Sequence, residues 1–308
     1  MTGPDSVLLI AFGGPEKPED IRPFLQLVTA GRRIPPERIE EVAHHYEAIG
    51  GRSPLNELTF KQAKGLRRAL KREGLAQPVF VGMRNWHPFL HETLAAMKDL
   101  GHRRALGIIL SSFQTEASWE RYLADVSAAR EKVGPGAPEV AYVPAWFDHP
   151  RFVEAVADRV RGALSAIPPD RRQAARLVFT AHSVPAAMAD GSPYVAQFTA
   201  AARAVAASLN HQRWSVAYQS RSGAPREPWL EPDIAEVLRQ LAKEGVGDVV
   251  VAPLGFVCDH VEVLYDLDVE ARQLAEKLGV HFHRAEAVND HPAFVEMLAD
   301  LARAGLGK

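Results

Sequence analysis

Apolar runs of four to six residues alternate along this chain with longer stretches in which apolar side chains recur every three or four positions. The short runs have the length of buried strands, and the longer stretches have the period of amphipathic helices. Strands are predicted at residues 7–12, 78–83, 105–110 and 140–143, separated by helices at 40–46, 59–72, 89–100 and 117–132. After a helix at 150–167 the rhythm restarts, with strands at 177–181, 214–218, 248–251 and 280–283 and helices at 196–209, 233–243 and 266–278 between them. A last helix, 292–304, has no strand after it. Helices placed between successive strands imply parallel pairing through right-handed crossovers. The pattern therefore predicts two four-stranded α/β units in tandem, with a boundary near Trp146 and no residue-level repeat between the halves. Length agrees, since 308 residues exceed the roughly 100–150 typical of one domain.

Composition narrows the function classes. With 47% hydrophobic and 24% charged residues the chain is an ordinary globular one, and its net charge of -2 gives no reason to expect nucleic acid or an anionic membrane as partner. Cys258 is the single cysteine. It cannot form an internal disulfide or hold an iron–sulfur cluster, which takes about four ligands, and it reads as a small buried apolar residue in a reducing compartment. No apolar run approaches the roughly 20 residues that span a bilayer, and the N-terminus lacks a basic stretch followed by an apolar one. A cytoplasmic location is expected. No segment beyond Lys308 offers a cluster site or a dimer interface, so a monomer is expected.

In parallel sheets ligands bind beyond the carboxyl ends of the strands. The loops there hold the chemically able side chains: Ser111-Ser112-Phe113-Gln114-Thr115, His182-Ser183-Val184-Pro185, Gln219-Ser220-Arg221-Ser222-Gly223, and Pro253 to Glu262. His182 stands one step beyond an apolar strand, where an imidazole with an ordinary pKa of about 6.5 serves as base or metal ligand, or simply bonds a loop carbonyl. Glu262, Asp266 and Glu270 have the i, i+4, i+8 spacing of one helical face. Like charges so placed cost a helix about 0.2–0.5 kcal/mol per pair, which calls for a cation or plain solvent to hold them apart. Walker-type, dinucleotide-binding, His-Glu-x-x-His and Gly-x-Ser-x-Gly motifs are absent. Gly13-Gly14-Pro15 alone is weak evidence for a phosphate cradle.

Several of these segments together resemble ferrochelatases: Ala181-His182-Ser183-Val184-Pro185, Tyr218-Gln219-Ser220-Arg221, Pro228-Trp229-Leu230-x-Pro232-Asp233, and Gly255-Phe256-Val257-x-Asp259-His260-Val261-Glu262-Val263-Leu264-Tyr265-Asp266. Tyr46-Glu47-Ala48-Ile49-Gly50-Gly51-x-Ser53-Pro54-Leu55 adds a match in the first half. The resemblance runs from about Val7 to near the C-terminus.

That resemblance implies two Rossmann-like chelatase domains, 1–146 and 147–289, with a porphyrin cleft between them and the helix within 290–308 packing back on the first. It implies insertion of Fe²⁺, a substrate, into a porphyrin in haem biosynthesis, with His182 and Glu262 as the inner metal-handling pair. Neutral His182 would accept a pyrrole proton or ligate the metal, while Glu262 takes a proton or orients the ring. Asp266 and Glu270 match an acidic row leading outward to a hydrated cation site, possible for Mg²⁺; no tightly bound cofactor is expected. Phe12, Ile10, Leu55, Trp86 and Trp229 are candidate apolar walls, with Trp229 equally readable as core packing. Tyr46 and Gln219 join them as substrate contacts by motif match, and Arg32, Arg33, Ser53 and Ser112 as groups that would meet porphyrin carboxylates. Phe12 and Asn85 depart from the tyrosine and histidine of the Gram-positive enzymes. A short lip, residues 31–51, favours coproporphyrin III over protoporphyrin IX. The rival readings are a cobalt chelatase, which would use paired histidines, a porphyrin carrier without catalysis, and a periplasmic-type binding protein, which would need export.

Overall fold

The structure is a computed structural model that describes residues 3–31, 34–222 and 227–307. Its chain divides into two compact units, the first made of Met1–Ser111, Ala117–Ala145 and Asp290–Lys308, the second of Ser112–Glu116 and Trp146–Asn289. Each unit is built on one four-stranded sheet in which every pairing is parallel.

In the first unit the strands are β1 (Ser6–Ala11), β2 (Val79–Met83), β3 (Arg104–Ile109) and β4 (Glu139–Tyr142), in the order β2-β1-β3-β4. In the second they are β5 (Arg176–His182), β6 (Trp214–Gln219), β7 (Asp248–Ala252) and β8 (His281–Arg284), in the order β6-β5-β7-β8. Both orders carry the connection outward from the central strand on one side and then across to the other. The switch falls between β1 and β3 and between β5 and β7, where the strand ends open a crevice. Burial follows from this topology: helices cover both faces of a parallel sheet, so β1 and β7 are buried at every position. Val178, Val249 and Val251 meet Leu238, Val263 and Leu267 in the core of the second unit.

All eight strands lie where the apolar runs predict them, within a residue or two. The helices differ more. Ile21–Thr29 is helical although no helix is expected there, because Pro23 stands in the first turn, where its missing N–H costs nothing. The helix expected at 266–278 is broken into a short α-helix Val261–Leu264, a π-helical turn Asp266–Ala271 and an α-helix Arg272–Lys277. The last helix, Pro292–Gly305, packs on Leu55–Arg72 of the first unit. No helix among the described residues is long and apolar enough to cross a membrane.

Gly255 positions the loop after β7. Its N–H donates to the Thr180 carbonyl at 2.9 Å, and a Cβ built on it would stand 2.7 Å from the Ala181 Cα. Backbone cannot yield there as a side chain can. Gly255→Ala is expected to destabilise the protein by about 1–3 kcal/mol, as overpacking does, read from urea unfolding.

Candidate active site

β5 ends in His182, which lies in register with Gln219, the last residue of β6. The chain leaving β7 crosses over β5 at Gly255 and enters the helix Val261–Leu264, capped by His260, whose Nδ1 accepts the Glu262 N–H at 3.3 Å. Strand end and helix start thereby bring His182 Nε2 to 3.2 Å from Glu262 Oε1. The other ring nitrogen meets the Ser183 carbonyl. A carbonyl only accepts, so Nδ1 carries a hydrogen and Nε2 is left to face the carboxylate. Two further bonds fix the frame: Tyr194 donates its hydroxyl to the His182 carbonyl at 2.8 Å, and Gln219 donates from Nε2 to the Glu262 carbonyl at 2.5 Å.

The two groups hold each other charged. Burial works against an imidazolium at His182, but the charge and hydrogen bond of Glu262, the Ser183 carbonyl and Asp266 outweigh it, and the ring is raised to about 9. Burial likewise works against an ionised Glu262, yet the charge and hydrogen bond of His182 hold its carboxyl down to about 2. The resting pair at neutral pH is therefore imidazolium and carboxylate. For the neutral form that would accept a proton or ligate a metal, His182 must give up a proton so that its Nε2 lone pair is free. His260, lowered chiefly by burial, is neutral, as its role as acceptor for Glu262 requires.

Asp266 follows on the π turn, and Glu270, exposed, at its far side. The regular i, i+4, i+8 helical face does not form. Glu270 N–H instead bonds the Tyr265 carbonyl at 3.0 Å, the i+5 spacing of a π turn, and such turns recur at functional sites. The three carboxylates still feel one another. Burial first, then the charges of Glu262 and Glu270, raise Asp266 to about 7 against the opposing hydroxyl of Ser220 and the charge of His182. A proton thus relieves the row of like charges. Ser220 donates its hydroxyl to Asp266 from a left-handed backbone, φ 62, uncommon for a residue with a Cβ. No group of three or more His, Cys, Asp or Glu among the described residues is arranged to hold a metal.

The other sequence candidates fall in different surroundings. In the second unit Trp229 is half-buried, its Nε1 donating to Glu227 Oε2 at 3.1 Å, and its backbone pairs with Pro185 beside the His182 loop. Ser112 is buried, and its hydroxyl has no hydrogen-bond partner among the described residues. In the first unit Phe12 is 37% exposed and meets Phe24 edge-on, as Tyr46 and Trp86 do, in a cluster with Phe24 at its centre. Tyr46 is buried, and so is Ser53, whose hydroxyl accepts the Leu55 N–H at 3.3 Å and underlies Gly14. Ile10 is wholly buried within β1, so it is core and not a wall. Asn85 donates from Nδ2 to the Phe12 carbonyl at 3.1 Å. Arg32 and Arg33 lie outside the described residues.

The family model described as ferrochelatase matches residues 4–306. The chain belongs to the ferrochelatase family. It is 46% identical over 307 residues to the coproporphyrin III ferrochelatase of Nocardia farcinica, covering 97% of this chain and 87% of that one. It is 44% identical over 300 residues to the coproporphyrin III ferrochelatase of Mycolicibacterium smegmatis, covering 96% and 88%. The ferrochelatase of Rhodopirellula baltica is 42% identical over 306 residues, covering 99% and 87%. Among solved structures, SirB from Bacillus subtilis with Fe³⁺ superposes with a TM-score of 0.61 at 12% identity, over 98% of this chain and 95% of that one, which shows a shared chelatase fold.

Within this ferrochelatase, Tyr194, His260 and Ser220 act on the pair or its neighbour without having been singled out in sequence. His260 and Ser220 stand inside the recognised motifs and were legible as such. Tyr194 lies on a helix, Tyr194–Ser208, and nothing local marks it.

Asp266 carries a pH signature. A carboxyl raised by folding carries no penalty below its unfolded value of 3.8, and the penalty accumulates as pH climbs to about 7. Asp266→Asn is therefore expected to be more stable than the parent at pH 8, with the gain vanishing near pH 4. Equal stability differences at both pH values, from urea unfolding, would contradict this.

Proposed function

We propose that this ferrochelatase inserts Fe²⁺ into coproporphyrin III, with His182 and Glu262 as the groups that handle the metal and the displaced protons. The observation that carries the reading is the 3.2 Å approach of His182 Nε2 to Glu262 Oε1 at the switch between β5 and β7. Side-chain exposures of 30% and 36% leave both groups open to a ligand. The substrate is supported by the relatives named coproporphyrin III ferrochelatase at 42–46% identity.

Insertion must remove two pyrrole N–H protons and strip water from Fe²⁺. An imidazolium can do neither, so the reaction begins with loss of the Nε2 proton. An arriving cation favours that loss by repelling the charged ring and by offering itself to the lone pair in the proton's place. Neutral His182 then takes a pyrrole proton or ligates the metal, while Nδ1 stays tied to Ser183 and keeps the ring in orientation. Glu262 is held down by the charged ring, so it becomes a stronger base once His182 is neutral and can then take a proton and pass it on. Asp266, at about 7, exchanges protons readily near neutrality, and exposed Glu270 opens onto solvent. The acidic row is thus read as a path for protons outward. A hydrated Mg²⁺ would find only Asp266 and Glu270 there and would keep most of its water. No tightly bound cofactor enters this scheme. Phe12 in the first unit and, separately, Trp229 in the second each offer apolar ring surface of the kind a macrocycle face contacts. A cytoplasmic setting agrees with a single buried cysteine, Cys258, that forms no disulfide.

Anaerobic assays with coproporphyrin III and protoporphyrin IX side by side test the substrate: the first should be metallated faster, and equal or reversed rates would overturn the choice. In the same assay His182→Ala should lose about 10²–10⁴-fold in rate while still quenching porphyrin fluorescence on binding, and Glu262→Gln should lose most of kcat. A variant as fast as the parent would remove that residue from the chemistry.

A further inference from the structure

β8 ends in Arg284, a guanidinium that the chemistry above does not use. Only 13% of its side chain is exposed. Nη1 donates to Asp259 Oδ1 at 2.8 Å and Nε donates to Asp268 Oδ1 at 2.7 Å. Asp259 precedes the His260 cap and Glu262, while Asp268 follows Asp266 on the π turn. One rigid fork therefore grips both flanks of the segment that carries the carboxylates.

Asp259 is tied on every side. Its Oδ1 also accepts the Ala287 N–H at 3.2 Å, and its Oδ2 accepts Asn289 Nδ2 at 2.8 Å. Its own N–H donates to Asn289 Oδ1 at 2.9 Å, and the Asn289 N–H donates to the Val257 carbonyl at 3.0 Å. Asn289 holds this geometry from the left-handed region, φ 48, which asparagine tolerates better than most residues. Arg272 adds a second, more exposed hold on Asp268 at 3.2 Å. A buried network so fully satisfied is rigid, and rigidity here falls on the loop that aims Glu262.

We propose that Arg284 is a positioning residue for metal insertion, clamping Asp259 and Asp268 so that Glu262 stays opposite His182 and Asp266 opposite Ser220. This rests on the proposed role of Glu262. A lysine cannot reproduce the clamp, because one ammonium does not present the planar fork that binds two carboxylates at once. Arg284 touches neither substrate nor reacting atoms in this scheme, so its loss should lower kcat and spare porphyrin binding.

The test compares Arg284→Lys, Asp268→Asn and Glu262→Gln in anaerobic Fe²⁺ insertion into coproporphyrin III, well below each variant's unfolding temperature. Arg284→Lys is expected to lose at least about tenfold in kcat, as misplacement of reacting groups does, with the porphyrin KM within about twofold of the parent. Asp268→Asn, which keeps the Asp259 contact, should lose less and supplies the measurement if Arg284→Lys does not fold. Unchanged kcat in the folded Arg284 variant, beside a crippled Glu262→Gln, would overturn the clamp alone. So would a loss shared equally by kcat and porphyrin affinity, or one matched by loss of folded protein. Full activity in Glu262→Gln would instead overturn the reading of Glu262, and the clamp with it.

Discussion

An imidazolium and a carboxylate 3.2 Å apart, one at a strand end and the other at a helix start, set the conditions for the residues around them. Neither strand can build the pair alone. β5 carries the imidazole to its last position, and the chain leaving β7 must cross back over β5 before it reaches Glu262. That crossing is possible only where a glycine lets backbone lie on backbone, which is the role of Gly255. Charges brought this far out of water cost free energy unless their remaining hydrogen-bonding capacity is met. Ser183 meets it for Nδ1, and neutral His260 supports the Glu262 backbone without adding a competing charge.

A pair that stabilises its own proton is poorly suited to accept another, and on the proposed reading the residues beyond it answer that difficulty. Glu262 held at about 2 and Asp266 raised to about 7 are carboxylates of the same row with opposite displacements. Their environments separate them: one faces a cation, the other faces two carboxylates. Two titratable groups pushed apart in this way are what a proton transfer sequence requires. The π turn contributes by departing from the regular helix that would have fixed the three carboxylates at even spacing. On the proposed reading, the strained φ of Ser220 serves the same end, since it aims a hydroxyl at Asp266.

Strand positions and the parallel topology were legible because the central buried strands leave short apolar runs and helical periods separate them. His182 and Glu262 were legible as candidates for two separate reasons: position after a strand, and a match of several ordered motifs. Their mutual charge was not legible, because it depends on a distance between residues far apart in sequence. The break in the helix after Leu264 was hidden for a related reason. Residues 266–278 keep a helical period on either side of the π turn, and one extra residue in a turn leaves little trace in composition. The helix at Ile21–Thr29 was masked by Pro23, a residue that breaks helices everywhere except in their first turn. Tyr46 and Ser53 matched a motif, yet the motif does not reveal that the fold buries both.

The two departures in the first unit bear on where polar chemistry is available. Phe12 has no side-chain oxygen to offer, and Asn85 turns its Nδ2 to the Phe12 carbonyl. Arg84, its guanidinium 4.3 Å from the Tyr122 ring and 5.9 Å from that of Phe12, is engaged by Asp125. What remains at the end of β1 is an aromatic surface with Phe24 beneath it, suited to contact with an apolar ring face and unsuited to binding a cation by oxygen. The ionisable groups of the proposed chemistry all belong to the second unit, at the end of β5 and on the segment after β7. On the proposed reading, a ferrochelatase without a phenol at position 12 leaves metal handling to His182 and Glu262. In such an arrangement the accuracy with which the second unit aims that single pair matters more than it would with a further ligand to share the task.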